Sequence, residues 1–247
     1  METLIPVHKA LLISDLHLGS PVCQAEVIRR VIEESESEII LIVGDLFDGP
    51  DLKRLAKKHW KVLSALRKAS KSRRVILVRG NHDPGGADFL EALLGIETVN
   101  EFLLEHDGKR FLFIHGDLFD SWVSQWPITS EIFTGVYYFL QRLDPLQQRL
   151  ARYLKHRSKD VTRCVQTLRK RADEYRKHKR ADFICCGHSH YEEITPTYAN
   201  TGCFTDSPCT YATLAQDTST ENCGVTLHHA PIEVSAAANQ PQEAAAL

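Results

Sequence analysis

Acidic, amide and imidazole side chains recur in five short polar clusters of this 247-residue sequence. Their oxygen and nitrogen atoms suit borderline-hard cations such as Mn²⁺, Fe, Zn²⁺ and Mg²⁺. Seven such groups are too many for one tetrahedral ion, but they can serve two ions about 3.5–4 Å apart. Such a pair can hold a hydroxide as nucleophile and clamp a phosphoryl group during in-line displacement. The candidate ligands are Asp15, His17, Asp45, Asn81, His115, His188 and His190.

Each cluster taken singly also has an ordinary structural explanation. A lone Asp-x-His after a strand is more often part of a loop than a ligand pair, and a histidine before glycine, as at His115, is typical of a turn. Asp48 fits a helix N-cap as well as a functional role. Five clusters together favour the metal site. The other histidines lack such partners and are expected on the surface or in packing: His8, His59, His106, His156, His178, His228 and His229.

Short apolar runs come directly before each cluster. Runs of four to six residues bounded by glycine and polar residues are typical of strands, and runs without alternation suit strands buried on both faces. After Tyr198 the spacing of apolar residues becomes more typical of strands and indicates two final strands. The predicted strands are Ala10–Ser14, Ile39–Val43, Val75–Val78, Phe111–Ile114, Phe183–Cys186, Tyr211–Leu214 and Gly224–His228.

Helical spacing of apolar residues fills the gaps between these runs, at Gln24–Glu34 and Leu52–Ala69. Strands that alternate with helices predict an α/β fold. Because open α/β sheets place their ligands outside the carboxyl ends of the strands, we expect the polar clusters to converge along one edge.

The composition is that of a folded globular protein, with 43% hydrophobic residues, 25% charged residues and a net charge of −2. The longest aliphatic run, Ile39 to Val43, is far shorter than the roughly 18 residues that span a bilayer. Met1 to Ser14 lacks the pattern of a secretory signal. Seven scattered cysteines without C-x-x-C argue against a disulfide framework and a cysteine zinc site. The expected location is therefore the cytoplasm.

One long interval breaks the alternation and predicts an inserted helical hairpin at 121–180. Its apolar and aromatic part, 128–150, fits either a helix–helix core or an exposed apolar surface. Its basic part, 149–180, holds 13 Lys/Arg against 3 Asp/Glu, net +10, and fits either a solvated face or an anion-facing surface. Residues 1–234 are predicted to form one domain around this insertion. Residues 235–247 are predicted to be a disordered tail, part of which is compatible with a vector origin.

The five clusters resemble, in type and order, the blocks of the metallophosphoesterase (calcineurin-like) superfamily: DLH, GDLFD, GNHD, HGD and GHSH. The resemblance extends from about Ala10 to Leu214. One block alone is weak because G-D-x-x-D is common by chance, whereas five blocks in order are very specific. The resemblance implies a four-layer α/β/β/α sandwich of two mixed sheets flanked by helices, with a dinuclear site at one edge.

The resemblance also implies roles for individual residues. His82 matches the catalytic histidine, which contacts a phosphoryl oxygen or protonates the leaving group, as suits a side chain that titrates near neutrality. Asp48 and Asp83 are implied to orient histidines or backbone donors. Two divalent ions are implied, with Mn²⁺ the first choice. One ion is held by Asp15, His17, Asp45 and His190, and the other by Asp45, Asn81, His115 and His188, with Asp45 bridging.

Within the superfamily the sequence is most similar to the UDP-2,3-diacylglucosamine pyrophosphatase branch of lipid A biosynthesis. The similarity rests on Ile13–Gly19, on the insertion and on Tyr198–Gly202. In that branch the insertion is a lid over acyl chains, which implies a nucleotide-linked lipid substrate and peripheral contact with an anionic membrane. The best-known members, however, carry arginine where this chain has His82. A broad-specificity phosphodiesterase or phosphomonoesterase acting on small soluble substrates is therefore the alternative.

A nucleic-acid-binding module is an alternative from a different class, because the basic segment could contact phosphates. That segment has no helix-turn-helix or zinc-finger signature, and the whole chain is acidic. Nucleic acid is therefore not the expected partner, and a small-molecule phosphoester is. The sequence specifies no oligomeric state.

Overall fold

The structure is a computed structural model that describes residues 8–83, 87–119 and 159–231. The strands are β1 (Ala10–Ile13), β2 (Ile39–Val43), β3 (Arg74–Val78), β4 (Glu97–Val99), β5 (Phe102–His106), β6 (Lys109–Phe113), β7 (Phe183–Cys186), β8 (Glu193–Ile194), β9 (Tyr198–Asn200), β10 (Cys209–Leu214) and β11 (Val225–Ala230). The helices are α1 (Ala25–Glu34), α2 (Lys57–Ala69), α3 (Ala87–Leu94) and α4 (Lys159–His178), with short 3₁₀ turns at Leu52–Arg54 and Asp117–Phe119.

The strands form two mixed sheets. The first has the order β11-β10-β1-β2-β3-β4, in which β1 to β4 are parallel. Strand β10 pairs antiparallel with β1, and β11 pairs antiparallel with β10. The second has the order β5-β6-β7-β9-β8, with β6, β7 and β9 parallel and the outer strands antiparallel. The predicted pair of mixed sheets is confirmed.

Alternation along the strands decides which layer each side chain joins. In β1, Leu12 lies in the core between the two sheets together with Phe111 of β6. Its neighbour Leu11 points the other way and packs with Ile28 of α1. On the far side of the second sheet, Ile184 of β7 packs with residues of α4. Three apolar cores between successive layers therefore make the predicted four-layer sandwich, because each sheet face and helix face must be buried.

Helix α2 begins later than the apolar spacing predicted, at Lys57 rather than Leu52. The preceding 3₁₀ turn is closed by Asp51, whose carboxylate accepts a hydrogen bond from the Lys53 backbone N–H at 3.1 Å. The chain is then extended at Ala56, and the His59 Nδ1 accepts the Ala56 N–H at 3.1 Å. His59 is thus a buried residue that caps α2.

Helix α4 belongs to the basic part of the predicted insertion. Its Leu168 and Ala172 are buried against the second sheet, so this helix forms the outer layer on that side. The apolar part of the insertion, residues 128–150, lies outside the described residues, as does the predicted tail at 235–247. None of the helices in the described ranges has the length and apolar character needed to cross a membrane.

Candidate metal centre

Each candidate ligand lies just beyond the carboxyl end of a strand, in one of the two sheets. Backbone hydrogen bonds join neighbouring loops within each sheet: the Asp15 N–H donates to the Gly44 carbonyl at 3.0 Å in the first sheet, and the Gly187 N–H donates to the His115 carbonyl at 3.0 Å in the second. Asp15 and His17 follow β1, Asp45 follows β2, Asn81 follows β3, His115 follows β6, and His188 and His190 follow β7.

The first group of ligand atoms comprises side chains of Asp15, His17 and His190, which all lie within 4.8 Å of one another. The Nε2 atoms of the two histidines are 3.0 Å apart, and the His190 Nε2 is 3.2 Å from the Asp15 Oδ1. Asp15 and His17 are buried and His190 is partly exposed. Three donor atoms that converge this closely can bind one cation.

The second group comprises Asp15, Asp45 and His115, again within 4.8 Å of one another and all buried. The Asp45 Oδ2 lies 3.4 Å from the His115 Nε2 and 3.7 Å from the His17 Nε2. One carboxylate oxygen therefore faces a histidine from each group. A carboxylate in this position could contact a cation held by either group.

Asn81 and His188 border the second group. The Asn81 Oδ1 is 3.3 Å from the His115 Nε2, and the His188 ring lies 5.2 Å from the His115 ring. The His188 backbone N–H also donates to the Asp15 carboxylate, at 3.1 Å to Oδ2. All seven predicted ligands are thus brought to one place.

The backbone is strained at the candidate ligands. Only eight non-glycine residues in the described ranges have positive φ, and five of them belong to this set. Such conformations cost of order 1–3 kcal/mol each and cluster at functional sites. The five are Asp15, His17, Asp45, His188 and His190, with φ between 47° and 69°.

Two glycines make room for the carboxylates. A Cβ on Gly80 would lie 2.2 Å from the Asp45 Oδ1, and a Cβ on Gly187 would lie 2.5 Å from the Asp15 Oδ2. Both distances are shorter than side-chain atoms tolerate, so a larger residue would displace a ligand. This explains the glycine that comes before the asparagine and histidine in the third and fifth clusters.

The hydrogen bonds of His115 test whether the residues fit a metal. Its Nδ1 lies 3.0 Å from the Val43 carbonyl, which can only accept, so Nδ1 carries the proton. The Nε2 faces Asp45 and Asn81, and once a metal ion replaces its proton it is the nitrogen that can serve as a ligand. A histidine whose outer nitrogen donates to a carbonyl while its inner nitrogen stays free is the usual arrangement of a metal ligand. The donor set therefore fits a divalent cation.

The electrostatics favour positive charge at the same point. Burial alone would lower the pKa of His115, but the carboxylates of Asp45 and Asp15 raise it to about 10. Burial opposes ionisation of Asp45, yet His115 and His17 hold its pKa well below the usual range. Buried carboxylates that stay ionised attract a cation, and neutral histidines can ligate it.

His82 and Asp83 lie beside the ligands. The His82 backbone N–H donates to the Asp45 Oδ1 at 2.9 Å, and the half-buried His82 ring is 5.1 Å from the His17 ring. The Asp83 carboxylate accepts the backbone N–H groups of Asp45 at 3.0 Å and Gly80 at 2.9 Å. Burial and the nearby Asp45 raise the pKa of Asp83 to about 6. Asp83 thus holds two of the ligand loops together.

Asn200 was not singled out from the sequence as a site residue. Its fully buried side-chain amide donates to the Gly187 carbonyl at 2.5 Å and to the Ser189 Oγ at 3.1 Å, and its Oδ1 accepts the Gly202 N–H at 3.0 Å. It therefore braces the loop that carries His188 and His190. The sequence feature that could have identified Asn200 is a polar residue at the end of a short strand, just before Thr-Gly.

The sequence matches the family described as Calcineurin-like phosphoesterase over residues 8–192. The chain belongs to this family. Because the match covers most of the chain and all five clusters, this calcineurin-like phosphoesterase is a metal-binding hydrolase of phosphoesters. The predicted superfamily is confirmed.

Solved structures similar to this calcineurin-like phosphoesterase include Yfce, a phosphoesterase from E. coli, at 17% identity and TM-score 0.47, covering 91% of this chain and 99% of that one. An archaeal phosphodiesterase matches at 14% identity and TM-score 0.45, covering 89% and 98%. The nuclease MPE of Pseudomonas putida matches at 28% identity and TM-score 0.32, over 44% and 53%. A comparison with curated proteins finds no match. Since these TM-scores are below 0.5, the family assignment rests on the sequence match.

Proposed function

We propose that this phosphoesterase uses two divalent ions to hydrolyse a phosphodiester or pyrophosphate bond. The observation that carries the proposal is the position of the Asp45 Oδ2, 3.4 Å from the His115 Nε2 and 3.7 Å from the His17 Nε2. The two groups of candidate ligand atoms meet at this Asp45 oxygen and have Asp15 in common. Such an arrangement suits two neighbouring ions better than one.

Two sets of side chains would hold the ions. When bound, the ions supply Lewis acidity to the phosphoryl oxygens and a water molecule activated for attack on phosphorus. Mn²⁺ is the metal we propose, with Fe, Zn²⁺ and Mg²⁺ as alternatives, since oxygen and imidazole ligands accept all of them. The first set is Asp15, His17, Asp45 and His190, and the second is Asp45, Asn81, His115 and His188.

His82 is the residue we propose as catalytic. Its backbone is held by the Asp45 Oδ1 at 2.9 Å, while its half-buried ring remains accessible next to His17. From there the imidazole can donate a proton to the leaving-group oxygen or a hydrogen bond to a phosphoryl oxygen. Asp83 keeps the Asp45 and Gly80 backbones in place for this, and Asp48 orients His17.

For the substrate we propose a UDP-2,3-diacylglucosamine-type molecule, on the similarity of Ile13–Gly19 and Tyr198–Gly202 to that branch. The second candidate is a small soluble diester or monoester, and His82 favours it because that branch carries arginine at this place. In the first case the predicted lid, peripheral at an anionic membrane, would contribute binding energy from acyl chains. Each buried CH₂ is worth about 0.8 kcal/mol, so four would give roughly a hundredfold in affinity.

The test uses full-length protein stripped with chelator and reloaded with Mn²⁺. Bound metal is counted, and kcat/KM is measured below micelle-forming concentrations for long-chain and deacylated UDP-acylglucosamine, nitrophenyl diesters and a monoester. Two ions per chain and chelator-sensitive turnover support the phosphoesterase proposal, and trace binding at micromolar free metal contradicts it. A roughly hundredfold preference for the long chain supports the lipid substrate, whereas a ratio near one favours the soluble substrates.

A further inference from the structure

Arg54 lies at the end of the 3₁₀ turn Leu52–Arg54, close to the candidate metal centre but outside every sequence cluster. Its Nη2 is 2.5 Å from the Asp48 Oδ2, while 46% of its side chain is exposed. The Asp48 side chain is only 9% exposed. A charged pair this close, with one partner nearly buried, orients the carboxylate more firmly than a surface ion pair does.

The other oxygen of the same carboxylate faces a candidate ligand. The Asp48 Oδ1 is 3.4 Å from the His17 Nδ1, which has no hydrogen-bond partner within the described ranges. At this length the contact is electrostatic, somewhat beyond the 2.7–3.2 Å of a typical N–H···O bond. The opposite ring nitrogen of His17 points at His190 and Asp45. Asp48 therefore joins the Arg54 guanidinium to the back of the His17 ring.

The turn that presents Arg54 is itself well anchored. Asp51 closes it by accepting a hydrogen bond from the Lys53 N–H. The side chains of Leu52 and Leu55 pack against the apolar core between the first sheet and α1. The fold thus fixes the backbone position from which the Arg54 side chain reaches Asp48.

We propose that Arg54 is a positioning residue that acts through Asp48 on His17, and so tightens one of the two metal positions. The inference rests on the proposed dinuclear function. A carboxylate behind a metal-ligating histidine fixes its ring and raises its basicity, and loss of such a partner typically costs 10–100-fold in metal affinity. Arg54 fixes the carboxylate in turn. The second metal position, around His115, has no part in this chain of contacts.

The test measures Mn²⁺ binding by calorimetry, without substrate. Arg54→Ala should weaken one of the two binding steps by about 10-fold and leave the other within twofold, following the range for outer ligand partners. Arg54→Lys should restore most of the loss, because one donor suffices at the Asp48 Oδ2. Lys53→Ala, on the same turn, is the matched control and should bind like the wild type. Equal weakening of both steps, or none, overturns the inference.

A double-mutant cycle tests the route through Asp48. In an Asp48→Ala background, Arg54→Ala should weaken Mn²⁺ binding further by less than about twofold. If Arg54 acts only through Asp48, its effect is already lost when Asp48 is removed. Full additivity would overturn the inference. A wild-type protein that binds fewer than two Mn²⁺ ions would refute the proposed function. Wild-type binding of two ions with both steps unchanged in Arg54→Ala would refute the Arg54 inference alone.

Discussion

Two charged regions of this molecule behave in opposite ways. At the candidate metal centre the charged groups are buried and converge, as with Asp45 between His17 and His115. On helix α4 the charges are denser in sequence but lie at the surface. There Arg169 pairs with Glu193 at 2.5 Å, both outside the centre.

The difference shows that the number of charges does not indicate where chemistry occurs. On α4 the acidic residues neutralise their neighbours, as in the pair Lys177–Asp173 at 2.7 Å, and the helix is held by Leu168 and Ala172. Exposed pairs contribute only about 0–1 kcal/mol. Ionised groups that are buried without a compensating charge cost several kcal/mol, so a cation at the metal centre has a large effect.

The largest effect is expected from Asp45→Ala, because it removes the carboxylate oxygen that lies close to both the His17 Nε2 and the His115 Nε2. The loss of kcat/KM should exceed the roughly 10²–10⁴-fold expected for loss of a general acid. Metal content measured after gel filtration should fall for both ions. The exposed carboxylate variant Asp217→Ala is the control and should retain both. Full metal content in Asp45→Ala would contradict the bridging position.

His82→Ala should retain both ions but lower turnover by about 10²–10⁴-fold, the range for a positioned proton donor. The loss should shrink for nitrophenyl substrates, whose leaving group needs little protonation. Steady-state kinetics on good and poor leaving groups measure this, with the exposed His178→Ala as control. An equal loss on both would mean that His82 contacts the phosphoryl oxygens instead.

The metal-free protein should lose stability as the pH rises. The pKa of His115 is raised from its usual 6.5 to about 10 by Asp45 and Asp15, against the effect of burial. The folded state therefore binds an extra proton, and its stabilisation is complete below pH 6.5 and disappears as the pH approaches about 10. Urea unfolding in chelator between pH 6.5 and 9.5 measures the slope. His115→Gln should flatten it, and an unchanged slope would contradict the pairing.

The smallest effect is expected on α4. Arg169→Ala should change the free energy of unfolding by less than about 1 kcal/mol, as for exposed ion pairs, and leave kcat/KM unchanged. Urea unfolding and kinetics at low and high salt measure both, with Glu193→Gln removing the same pair from the other side. A tenfold loss of kcat/KM that is larger at low salt than at high salt would show that α4 binds an anionic substrate, because salt screens such an attraction. The two regions would then no longer differ in function.

The sequence predicted the central strands well. The expected strands Ile39–Val43 and Phe183–Cys186 coincide with β2 and β7, because continuous apolar runs suit strands buried on both sides. The short strands β4 and β5 were not predicted. They lie at sheet edges, partly exposed, and owe their structure to pairing with β3 and β6 rather than to local pattern.

The candidate ligand types and their order along the chain follow from the sequence, because each ligand comes directly after a strand whose burial the apolar pattern reveals. The sequence does not show which of their atoms come into contact. The Asp45 Oδ2 reaches His115 of the other sheet, and Arg54 reaches Asp48 from a turn that the helical pattern had concealed. Contacts between loops of different sheets depend on how the sheets stack and where their backbones bend. Only the tertiary structure decides these, since no local run of residues records them.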